Sequence, residues 1–190
     1  MALPLAVAAV LARALRSPAG RAHASFGWAL LALAGMALGF YADALGGAPG
    51  LRWLHATLGV LMLLIVVAAS RISMRMVNRA IEQVTPGAPP YLARPPKRHL
   101  AALCITLATL AQFARPGSAL AGWLALAAAA AMFHLMSDWH VGPALWRRRF
   151  PLLLYAMYAC MALGYGALGL AYLGALPGTG AGWHLLGAGA

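Results

Sequence analysis

Acid is what this chain has least of. Against 14 lysines and arginines it carries three carboxylates, Asp43, Glu82 and Asp138, for a formal net charge of +11. All three fall at the edges of apolar runs, which disfavours a carboxylate proton pump and any hydrolase built on paired acids. Charged residues of both signs make up only 9% of the sequence. There are two cysteines, Cys104 and Cys160, each inside an apolar run and with no CxxC spacing. They read as small buried side chains rather than a disulfide or a zinc site. No glycine-rich phosphate loop and no nucleophile-base arrangement appears. The alternation of a barrel strand is also missing, so closed β-barrels are excluded and helices remain.

What is present is hydrocarbon. The chain is 63% hydrophobic with a mean hydropathy of +0.79, and its apolar runs approach the roughly 20 residues that cross a bilayer core. The reading is an all-α integral membrane protein, a single domain over residues 1–190, with the lipid bilayer as its first partner. In a soluble protein such a charge would suggest nucleic acid; here the cations cluster between apolar runs, which excludes that partner and reads as the positive-inside bias.

The largest such cluster runs from Arg71 to His99, with Arg71, Arg75, Arg79, Arg94, Lys97 and Arg98 around the breaker segment Thr85-Pro86-Gly87-Ala88-Pro89-Pro90. It is expected to be a cytoplasmic loop over residues 71–98. Before it lie an apolar piece from Met1 to Leu15 and complete spans over Phe26–Ala42 and Trp53–Ser70; after it come His99–Ala114, Ala119–Met136 and Leu152–Leu173. The run Trp183–Ala190 starts a further helix. About five complete spans with a partial helix at each end are therefore expected, a pattern suited to an interior piece of a larger bundle or to a chain completed by further spans or by copies of itself. Gly35 and Gly39 have GxxxG spacing for close helix contact. The loops around Arg13–Arg21, 71–98 and Asp138–Arg149 are basic and the alternate ones are not, so the basic set is assigned to the cytoplasmic face of a bacterial inner membrane.

With acids so scarce, imidazole and thioether ligation is the chemistry left open. Alternating topology puts His55 and His184 at the outer ends of their helices and His23, His99, His134 and His140 near the cytoplasmic side. Two axial haem ligands must meet the iron from opposite faces at one depth, so His55 can pair with His184, or His99 with His134. His55, Gly59 and Met62 share a helix face, the glycine leaving either a gap for a flat macrocycle or a simple packing contact. Met132 and Met136 share another face, with His134 roughly 160° away on a regular helix. Met157, Cys160 and Met161 form a second soft cluster; either could hold Cu(I) or simply fill core. Tyr158, Tyr165 and Tyr172 recur every seventh residue, an aromatic packing seam or a redox relay. Thr106, Thr109 and Gln112 make a loose polar stripe.

Several segments, in order, resemble the NnrS family of bacterial membrane proteins. Ala69-Ser70-Arg71-Ile72 falls where that family has Gly-Gly-Arg-Val-Ile-Pro, although Met74 replaces the proline and Val77 a threonine. Phe133-His134-Leu135 and Trp146-Arg147-Arg148 are similar to its histidine span and Trp/Arg loop. In Leu154-Tyr155-Ala156-Met157-Tyr158-Ala159 the second tyrosine matches and Tyr155 stands where a histidine is expected. His184-Leu185-Leu186 through Gly189-Ala190 resembles its His-Ala-Leu segment. The resemblance implies a metalloprotein binding haem b and copper in the response to nitric oxide. The implied cofactor residues are His55, His134 and His184, with Arg71 facing a haem propionate; His134, Met157 and Met161 are the metal candidates. Without a cofactor, the polar stripe and glycine-rich spans would instead suit a transporter or a structural membrane subunit.

Overall fold

A computed structural model describes Ala6 and residues 24–84, 86–92, 94–138 and 148–189, the side chains of residues 24–26 and Arg71 excepted. The apolar piece at Met1–Leu15, the basic segment Arg13–Arg21, His23, His140 and the Trp146-Arg147 pair lie outside these residues, Ala6 aside. Among them six helices and no strand occur: α1 (Ala24–Leu45), α2 (Leu51–Val84), α3 (Pro95–Ala114), α4 (Ala119–Met136), α5 (Arg149–Tyr172) and α6 (Gly180–Ala188). Helices α2, α3, α4 and α5 close a ring in which each packs on its neighbours; α1 lies outside against α2, and α6 fills in between α5 and α2.

Four helices, α1, α2, α4 and α5, are long and apolar enough to cross a membrane. Helix α3, expected as the third of five complete spans over His99–Ala114, has 20 residues and packs within the ring, but falls outside that set. Its opening Pro-Pro-Lys-Arg-His and its two threonines dilute its apolarity.

The expected basic loop over residues 71–98 is largely helix. Helix α2 runs unbroken for 34 residues, with no proline from Leu51 to Val84. Beyond Ser70 it changes from apolar to amphipathic: Ser73, Val77 and Ala80 are buried at helical spacing, while Arg75, Arg79 and Glu82 are exposed. Charge alone suggested a loop, but the i, i+4, i+7 rhythm of small and branched residues is that of a helix face. Helix α2 ends at Val84 and α3 begins at Pro95, leaving residues 85–94 between them. The connection turns at Gly87, whose φ of +84° suits glycine, and is pinned back on α2 by Asn78. That side chain accepts from the Tyr91 backbone N–H at 2.7 Å and donates to the Tyr91 carbonyl at 3.1 Å. Burial, with the Asp138 carboxylate nearby and the Ser73 hydroxyl opposing, pushes the Tyr91 phenol up to about 12, so it stays neutral.

The start of α3 is tied to the end of α4. Lys97 Nζ lies 2.7 Å from Asp138 Oδ1, both side chains mostly buried, and Arg94 adds a longer contact at 3.9 Å. Pro95 and Pro96 open α3 where no intrahelical N–H is needed, and Ser118 caps α4 by accepting from the Ala121 N–H at 3.2 Å. Polar bonds therefore hold the basic end of the bundle together.

Candidate functional site around His55

The opposite end is organised by one carboxylate. Asp43, closing α1, accepts from Arg52 Nε at 3.0 Å and from the Trp53 indole N–H at 2.8 Å. Trp53 is thereby held with its ring over Gly39 of α1 and edge-on to Phe113 of α3, 4.7 Å between ring centres. Two residues later, His55 turns toward the interior.

Helix α6 meets it there. The Trp183 indole stacks on the His55 imidazole with ring centres 3.9 Å apart and planes 2° from parallel. One turn along α2, Gly59 is covered by Thr109 of α3: any Cβ at that glycine would collide with the threonine side chain. The gap expected there for a macrocycle is thus already filled. Thr109 turns its own hydroxyl to the Ile105 carbonyl at 2.8 Å.

Between these groups lies a cavity of about 20 Å³, walled by His55, Thr109, Gln112, Tyr165, Tyr172 and Trp183 together with apolar side chains of α4, α5 and α6. That volume holds one water or a molecule of similar size. Tyr165 is 5% exposed, and its hydroxyl lies beside Thr109.

The predicted ligands separate. His55 is half-buried, but the side on which His184 was expected is occupied by Trp183, and His184 itself is exposed. Depth matching brought the right two helices together and the neighbouring residue into contact. His134 is exposed on α4, while Met132, Leu135 and Met136 face the core. Its level on α4 is the basic end, 15 residues or about 22 Å from the start of that helix, so it shares no depth with His184. Met161 is fully buried and Met157 packs against the core, so His134, Met157 and Met161 are not gathered on one surface. His99 is exposed with its Nε2 3.1 Å from Arg98. Among the described residues no three His, Cys, Asp or Glu side chains converge as a metal cluster. The side chain of Arg71 lies outside the described residues.

Three groups of the cavity escaped assignment as site residues. Tyr165 and Tyr172 belong to the seven-residue seam and Thr109 and Gln112 to the polar stripe of α3, so both patterns were legible; that they face one another across the ring was not. Nothing in the sequence marks Trp183 as the partner of His55.

These observations define a helical membrane bundle, closed by small residues and aromatic rings, with one imidazole drawn toward a small interior cavity. A family model described as NnrS protein matches residues 1–190, the whole chain, and the protein belongs to the NnrS family. No curated protein and no solved structure matches it.

Proposed function

We propose that this NnrS-family protein acts at a membrane in the response to nitric oxide, with the His55 end of the bundle as its working part. The observation that carries this reading is the His55 cavity. Among the described histidines only His55 is withdrawn from the surface, and it stands beside a buried hydroxyl and room for a guest of about two heavy atoms. Nitric oxide is uncharged and of that size.

Haem b and copper, which the family resemblance implies, do not fit the interior as it is packed. The cavity is too small for a macrocycle, Thr109 fills the space over Gly59, and Trp183 covers the face of His55. Among the described residues the exposed imidazoles are His99 and His134 at the basic end and His184 at the other, so a haem held by them would draw on His99 or His134 at one level or on His184 at the other, and not on His134 and His184 together. A copper ion at His134 likewise cannot draw on the buried Met161.

Two measurements test the reading. A strain lacking the gene should lose tolerance to nitric oxide, regain it with the wild-type chain and regain little of it with H55A; equal growth with and without the gene overturns the functional proposal. Absorption spectra of the detergent-purified protein, oxidised and reduced, with metal analysis, address the cofactors. A Soret band retained in H55A and lost in H184A or H134A supports ligation at an open imidazole, whereas loss in H55A alone would return the haem to the interior.

A further inference from the structure

The arginines at the basic end are not all engaged by carboxylates. Of the three acids, Asp43 is held by Arg52 and Asp138 by Lys97. Arg79 and Arg148 form no ion pair with a described residue, and both border a pocket of about 180 Å³ between α2 and the start of α5. From α2 the pocket takes Arg79, Ala80 and Gln83, which lie on one helix face; Glu82 is not part of its lining. From α5 it takes Arg148, Phe150 and Pro151. Ala80 and Pro151 are buried and form an apolar floor, whereas Phe150 is 66% exposed at the rim.

Helix α5 adds positive potential to the same place. Arg148 stands at its N-cap without a side-chain capping bond, and the first turn carries no acid. The N-terminal end of α5 and two guanidinium groups therefore border one opening with no carboxylate in its lining. Guanidinium groups pair with phosphate oxygens through two parallel N–H bonds, and basic recesses between membrane helices suit phospholipid headgroups. On its α5 side the pocket borders the start of the apolar run Leu152–Leu173, and on its α2 side it lies on the charged extension beyond Ser70.

We propose that this pocket binds the phosphate of an anionic phospholipid, with Arg79 and Arg148 on the phosphate oxygens, Gln83 on the headgroup, and Phe150 beside the glycerol and upper acyl chain. The site is separate from the His55 cavity and does not depend on the nitric oxide reading.

The test is native mass spectrometry of the detergent-solubilised full chain, titrated with phosphatidylglycerol and, in parallel, with phosphatidylcholine of the same acyl chains. The expected result is one tight phosphatidylglycerol adduct per chain, weakened roughly 20-fold in R79Q/R148Q. R75Q should bind as the wild type does, because Arg75 is exposed on the same stretch of α2 but does not line the pocket. The charge-keeping R79K/R148K, expected to fall between them, controls for loss of fold and isolates the planar fork. Undiminished binding in R79Q/R148Q overturns the proposal, as does an equal loss in R75Q, which would mean diffuse attraction to charge. Displacement of the lipid by equimolar inorganic phosphate would also overturn it, in favour of a soluble anion.

Discussion

Helices α1 and α4 are both apolar and of spanning length, yet half of the α4 span is buried in the bundle and only 6% of that of α1. Hydropathy does not separate them, and neither does glycine content. Helix α1 carries Gly35 and Gly39 at GxxxG spacing, but among the described residues nothing lies within 4 Å of a Cβ built at Gly35, and Gly39 meets the Trp53 ring. Helix α4 has a single glycine, Gly122, which meets Gly169 of α5 so closely that a Cβ at Gly169 would lie 2.9 Å from the Gly122 carbonyl and 2.6 Å from Leu126 Cγ. Apolarity puts a helix into hydrocarbon; small residues that face one another across two helices draw it into a bundle. Spacing on one helix is half of that condition.

The contrast can be broken most directly at the α4–α5 contact. Gly169→Val should force the helices apart or displace Leu126, costing about 3 kcal/mol; the same substitution at Gly35 should change stability by less than about 0.5 kcal/mol. Thermal unfolding in one detergent measures both, and equal effects would dissolve the distinction between the two helices. Next in size, Asp138→Ala leaves Lys97, whose side chain is 14% exposed, without its anion and should cost about 2 kcal/mol. Its signature is earlier proteolysis of the connection between α2 and α3, where a result like the wild type would show that the ion pair does not hold that end. Asn78→Ala removes both bonds to Tyr91 and should cost about 1 kcal/mol. Hydrogen exchange at the Tyr91 amide reads it, and unchanged protection would mean another group pins the connection.

The composition made the fold class legible, and the helices end close to where Pro, Gly and Ser clusters said they would. Segment 71–84 was misread because arginine carries two meanings, a loop at the membrane edge or the wet face of a helix that continues past it. The buried small residues on the other face, Ser73, Val77 and Ala80, were the deciding signal. The site was legible by depth but not by angle. Alternating topology placed His55 level with α6, whereas the choice between Trp183 and His184 as its neighbour depends on how α6 is rotated about its axis. A helix of nine residues with three glycines gives no amphipathic stripe from which to read that rotation.

The length of α2 ties the two ends of the molecule together mechanically. At 34 residues it measures about 51 Å, against a hydrocarbon core of about 30 Å. With no proline joint along it, one continuous helix carries both His55, where it leans on Trp183, and Arg79, about 36 Å further along its axis.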